Sequence, residues 1–250
     1  MSVFAVVVKD PLAPPLAPAA FLSGLKKINQ DSARELLRAN PGFLGRGLAL
    51  PAAEELRAAA ASAGLETMLV AETEIAPPPP ALRAVKIELK GSGLNSTAAG
   101  AVTFIPYETI SVICAGAFDA PVEPPDMMAL EASVFLKIRN ALPGTGPAAS
   151  EPKVSRETFF RADLLADYGR LRLSLEPENL DFSALGPERT PASLTNFRTL
   201  LGKISAPAFG AVKNAFLLAF LAGAPLADLK LASAAACDAD FTRLMLFKRR

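Results

Sequence analysis

Residues 76–89 read A-P-P-P-P-A-L-R-A-V-K-I-E-L. The prolines Pro77 to Pro80 have fixed φ and no N–H to donate, so neither a helix nor a strand ladder runs through them. Four in a row favour a stiff polyproline II spacer. Immediately after it, Val85, Ile87 and Leu89 alternate with Lys86, Glu88 and Lys90, the period of a half-buried antiparallel strand. Before it, apolar residues recur at helical spacing. The sequence thus predicts an α+β protein with a small α/β module over residues 1–75, a hinge over 76–82 and a larger, mainly antiparallel module over 83–250 closed by C-terminal helices.

Upstream of the hinge, Phe4 to Val8 is a valine-rich run ended by Asp10 and Pro11, which reads as a buried strand. Three helical stretches follow. Phe21, Leu22, Leu25 and Ile28 share one face; Ala33, Leu36 and Leu37 share another, stopped by Pro41-Gly42. The third opens at Pro51, a first-turn position, with Leu56, Ala60 and Ala63 inward and Gly64 just past its end. Leu65 to Ala71 then reads as a strand. The expected order is β-α-α-α-β.

From Leu25 to Val70 this module resembles the C-terminal domain of bacterial ribosomal protein L7/L12, a fold shared in outline with the ClpS adaptor. The residues that carry the likeness are Ala33 with Leu36-Leu37, Pro41, Gly47, Ala52-Ala53-Glu54-Glu55 and Ala63-Gly64. The resemblance implies the fold. It does not extend to the lysine-rich helix face with which the stalk domain recruits translation factors, because Asp31 and Arg34 stand where the first helix lysines are expected and the third helix has only Arg57. The ClpS pocket for N-terminal degrons needs a histidine, which this chain lacks.

Downstream, Gly91-Ser92-Gly93 with Asn95 is expected to turn the chain. Val102 to Ile105, Ile110 to Cys114, an alternating set at Val134, Leu136 and Ile138, and Leu171, Leu173 and Leu175 are expected strands. Asn140 to Lys153, rich in glycine and proline, reads as a long loop or a weaker boundary. Thr190 and Pro191 open a helix with Leu194, Phe197, Leu201 and Ile204 on one face. A second helix is expected to point Phe209, Val212, Phe216 and Phe220 inward. Phe241 to Phe247 fits a strand or a docked helix. A sheet of this size closed by a helix would look like a pleckstrin-homology-type barrel.

The chain has 250 residues, 51% hydrophobic and 20% charged, with 26 basic and 25 acidic side chains. A net charge of +1 gives no long-range field toward nucleic acid or anionic lipid. Histidine is absent, which removes Ser-His-Asp and Cys-His catalysis and His-ligated metals. Cys114 and Cys237 are too few for a cysteine-only zinc site and read as small buried hydrophobes. No cofactor is expected. The N-terminus lacks a basic region before its apolar run, and Ala215 to Leu226 is too short to span a bilayer, so the expected location is cytoplasmic, away from membranes.

Lys90-Gly91-Ser92-Gly93 has its lysine before the glycines and a strand after them, so it reads as a hairpin turn rather than a phosphate loop. Glu176, Glu178 and Asp181, with Glu151, Glu157 and Asp163 earlier, could run acid–base chemistry, but Glu176-Pro177-Glu178-Asn179 is a polar turn signature. Asn196 beside Phe197 fits a bond to a neighbouring turn. Lys26, Lys27, Arg34, Arg38 and Arg46 are the candidate partner-binding face, with no aromatic residue interleaved for base stacking. The expected function is non-enzymatic: an interaction or adaptor protein for a protein partner. The alternatives are a translation-associated or nucleic-acid-binding protein and an enzyme using carboxylates or a divalent cation.

Overall fold

A computed structural model describes residues 2–13, 16–121 and 156–248. The chain divides into one compact unit, Met1–Phe118 with Phe160–Arg250, and a second, Asp119–Phe159. In the second, Thr158 Oγ1 donates to Asp119 Oδ1 at 2.6 Å. The expected strand around Val134, Leu136 and Ile138, the stretch Asn140 to Lys153 and Glu151 lie outside the described residues.

Residues 1–75 run β1 (Val3–Val8), α1 (Leu16–Lys26), α2 (Gln30–Ala39), β2 (Phe43–Ala49), α3 (Leu50–Ser62) and β3 (Thr67–Ala71). The strands form an antiparallel sheet in the order β2-β1-β3. β2 was not expected. Its sequence, Phe-Leu-Gly-Arg-Gly-Leu-Ala, carries two glycines, and its pairing with β1 shifts register twice, so it lacks a strand's alternation. The first two helices do not run on: Lys27 at φ 53° ends α1, and Asn29 caps α2 by accepting from Ser32 N at 2.7 Å.

β1 is buried on both faces. Val6 and Val8 pack with Leu22, Ala33, Leu37, Ala53 and Ala60 beneath the three helices. Ala5 and Val7 face the other way, against Phe43, Met68, Val70 and Leu246. That two-sided burial is why the strand is a continuous apolar run rather than an alternating one.

A second sheet holds, among the described residues, seven strands in the order β10-β7-β8-β9-β4-β5-β6. They are β4 (Ala81–Leu89), β5 (Gly93–Ala98), β6 (Ala101–Pro106), β7 (Val112–Pro121), β8 (Arg156–Ala166), β9 (Leu171–Leu175) and β10 (Val212–Lys213). The sheet is mixed: β4–β5, β5–β6 and β8–β9 are antiparallel, β4–β9 and β7–β10 parallel. Among the described residues it is a row that ends at β10 and β6 and does not close into a barrel. In β4 a bulge between Ala84 and Lys86 flips the alternation, so Ala84 and Ile87 are buried while Val85, expected inward, is exposed. The expected turn is tighter than Gly91 to Asn95: Lys90 N donates to Gly93 O, and Asn95 already belongs to β5.

One face of this sheet packs on α4 (Ser193–Ser205) and α5 (Ala215–Leu221), through Phe197, Leu200, Leu201, Ile204, Phe216, Leu217 and Phe220. Phe209, expected inside, lies before α5 and is 89% exposed, and Val212 is in β10. Asn196 does bond to a turn, donating to Thr190 O and accepting from Thr190 N, both at 2.7 Å. The other face packs on α6 (Ala234–Lys248), where Phe241, Leu244 and Met245 meet Val112, Cys114 and Leu165. Leu246 of the same helix reaches the first sheet. Phe241 to Phe247 is therefore helix, and its apolar residues point to more than one side because both sides are covered. The class is α+β, with one antiparallel and one mixed sheet. Among the described residues no helix is long and apolar enough to cross a membrane.

Burying a leucine side chain contributes about 1.5–3 kcal/mol, and removing it also leaves a cavity. Leu246→Ala is therefore expected to lower the unfolding free energy by about 2–4 kcal/mol in urea titrations followed by circular dichroism. Leu25→Ala, at a 46% exposed position, is expected to change it by less than about 0.5 kcal/mol.

Candidate functional site

α6 carries polar side chains into both of the interfaces it fills. Asp238 accepts from Arg161 Nη2 of β8 at 2.8 Å and from Arg172 Nη2 of β9. Arg172 Nε also donates to Asp163 Oδ1 at 3.0 Å, and Arg161 Nε lies 2.9 Å from Asp163 Oδ2, outside hydrogen-bonding angles. Asp163 and Arg172 are buried, and the Arg172 guanidinium also stacks 4.6 Å above the Phe241 ring. Burial by itself works against the charge on both arginines. Asp163 and Asp238 outweigh it and hold both above their usual values.

Two residues on, about half a turn around the helix, Asp240 Oδ1 accepts from Arg243 Nε at 2.9 Å, and Oδ2 from Asn214 Nδ2 at 2.8 Å. Asn214 caps α5 by accepting from Leu217 N, and it bonds Ala115 N and O of β7. Arg243 continues across to the Asp10 and Pro11 carbonyls after β1. It packs so closely on Gly42, at φ +70°, that a Cβ there would meet its Cδ.

A cavity of about 60 Å³ lies against this cluster, lined by Val8, Leu37 and Phe216 together with Asn214, Asp240 and Arg243. That is room for a few waters rather than for a drug-sized ligand. Its polar lining is engaged: both Asp240 oxygens, the Asn214 amide and the Arg243 guanidinium all have partners within the protein. Among the described residues no three His, Cys, Asp or Glu side chains gather as a metal would need. Cys114 and Cys237 are buried; desolvation pushes Cys237 up to about 12 and Cys114 well above the usual thiol range.

The basic residues singled out in the sequence separate. Arg38 lines the cavity and donates to Ala227 O at 3.2 Å, while its own carbonyl accepts from Ala232 N. Arg34 pairs with Asp31 at 3.4 Å. Lys26 and Lys27 are exposed at the end of α1. Arg46 lies over the Phe43 ring and forks onto Glu72, which also accepts from Gly47 N. Lys26 and Arg46 line one surface depression of about 190 Å³ with Leu22, Leu36, Phe43 and Leu44. Of the carboxylates, Glu176 accepts from Asn179 Nδ2 at 2.8 Å across a turn, Asp181 accepts from Ser183 N, and Asp163 is drawn into the ion cluster. The sequence did not single out Asp240, Arg243, Asn214 or Arg172; Asp-Ala-Asp-Phe-Thr-Arg inside an otherwise apolar segment was the available signal.

Removing one member of a buried ion pair strands its partner, at about 3–5 kcal/mol. Arg172→Met is expected to cost that much in urea titrations, and Asp163→Leu/Arg172→Met less than the single change. The Arg46 hydrogen bond holds the Glu72 carboxyl below its usual value of 4.5. A depressed value means stability that is present above pH 4.5 and lost as pH falls through the folded-state value. Glu72→Gln is expected to cost about 0.5–1 kcal/mol at pH 7, the pair being half exposed, and nothing in strong acid.

Compared with protein-family models, curated proteins and solved structures, the chain matches none.

Proposed function

We propose that the protein is a non-enzymatic adaptor that docks an acidic, apolar-anchored segment of a partner protein in the depression between α1, α2 and β2. The observation that carries this reading is the meeting of Lys26 and Arg46, twenty positions apart in sequence, around one depression that also has Leu22, Leu36 and Phe43 in its lining. Leu36 is 41% exposed there, an apolar contact without a cover. Arg46 is forked onto Glu72, so the uncompensated charge beside this apolar base is that of Lys26, which complements a segment with carboxylates flanking a leucine or phenylalanine. Lys27 adds an exposed positive charge at the end of α1. The likeness of residues 1–75 to the ribosomal stalk domain belongs to this proposal as a likeness of fold only. Internal partners for Asp240, Asn214, Arg243 and Asp163 favour a structural role for the buried polar groups over catalysis.

The test is fluorescence anisotropy of the full chain with a short labelled glutamate-rich peptide centred on two leucines. Its lysine-rich counterpart and a single-stranded RNA of equal charge serve as controls. The acidic peptide is expected to bind, to weaken with salt, and to lose about tenfold in affinity with Lys26→Glu or Leu36→Asp. Binding of the RNA but not the peptide would replace this reading with the nucleic-acid one. Equal binding of both peptides would overturn it.

A further inference from the structure

Among the described residues, the β6 edge of the seven-stranded sheet is a backbone ladder without a mate. β6 pairs with β5 along its whole length, Ala98 with Ala101 through Gly93 with Pro106. Among the described residues no strand lies on its other side. Ala99 and Gly100, at φ 48° and 79°, make the two-residue turn that joins the two strands. In such a hairpin the closing pair, Ala98 and Ala101, exchanges both hydrogen bonds, and bonded and non-bonded pairs then alternate. The N–H and C=O groups of residues 101, 103 and 105 therefore point to β5. Those of Val102 and Phe104 point outward, and Pro106, next in that series, offers only a carbonyl.

Edge strands are usually blunted by charge. This one is not: residues 91–107 contain no charged side chain. On the face away from the core, Val102 is 66% and Phe104 49% exposed. Phe104 is held there by Gly93, where a Cβ would stand 2.8 Å from the ring.

We propose that two copies of the chain associate about a two-fold axis by antiparallel pairing of β6 with β6, Val102 opposite Phe104 of the second copy and Thr103 opposite Thr103. The outward groups select this register. Val102 and Phe104 are the two residues with both a free donor and a free acceptor, and pairing each with the other uses all of them, two hydrogen bonds per pair. Val102 then packs on Phe104 across the seam, a β-branched–aromatic pair of the kind that stabilises sheets. The charges permit a second copy. The nearest charged residue in sequence, Glu108, falls opposite Ala98 of the other chain, so no like charges stand opposite each other in the ladder. Pro106 falls opposite Gly100, where the ladder ends. The contact is isologous and closes at two copies. It doubles whatever site each chain carries, and it does not depend on the docking depression, which lies on other elements.

The proposal is tested on the full chain by sedimentation equilibrium over a concentration series, with Val102→Pro and Thr103→Cys as variants. The mass is expected to rise from 26.2 kDa toward twice that value. Val102→Pro removes an outward N–H but none that bonds β5, and is expected to raise the dimer Kd at least about tenfold with an unchanged circular dichroism spectrum. Thr103→Cys is expected to form an intermolecular disulfide on mild oxidation, whereas Ala101→Cys, opposite Ile105 in this register, does not; the two native thiols are buried. A constant 26.2 kDa mass at every concentration would overturn the proposal. So would a dimer indifferent to Val102→Pro, which would place the contact elsewhere, or equal crosslinking of both cysteine variants.

Discussion

The structure depends on the covering of β1 from both sides. A strand reading Val-Phe-Ala-Val-Val-Val has no face it can give to water. Local sequence supplies one cover, the three helices that follow it. The other comes from the far end of the chain, where Leu246 of α6 closes over Ala5 and Val7. Because α6 also packs Phe241, Leu244 and Met245 on the second sheet, one helix serves as the core of two interfaces. The prolines at 77–80 separate two sequence patterns, yet the apolar burial on either side of them is shared through this helix.

A helix that is apolar all round could rotate or slide without much change in buried area. The charges remove that freedom. Asp238 is fixed to Arg161 and Arg172, Asp240 to Asn214, and Arg243 to the carbonyls of Asp10 and Pro11. Burying such groups costs several kcal/mol each before pairing, so their net contribution to stability is small or negative. What they specify is register: one rotation and one height of α6 satisfy all of them at once.

The outward surfaces differ in kind. The depression by α1, α2 and β2 is lined by apolar side chains together with Lys26 and Arg46. The hairpin of β5 and β6 is uncharged, and its free groups are those of the backbone, which complement another extended strand.

Local chemistry was readable from the sequence. Pro51 at the start of α3, Gly64 after it, the Lys90–Gly93 turn and the bond of Asn196 to Thr190 are set by residues within a few positions of one another, and they stand where propensity and capping put them. The α+β class follows from the change of period across Pro77–Pro80. The tertiary structure decided the rest, because it depended on partners distant in sequence. β2 forms although two glycines disfavour it, since β1 offers an edge. Val85 turns outward because a bulge in the pairing with β5 flips the alternation. Arg172 and Ser174 alternate with leucines as an exposed face would, yet they are buried, because α6 lies over them. Of the five basic residues singled out in the N-terminal module, Lys26 and Arg46 share a surface, and helix spacing does not relate them. Periodicity tells which side of an element is apolar; it does not tell what will cover the other side, and here that cover comes from the last helix of the chain.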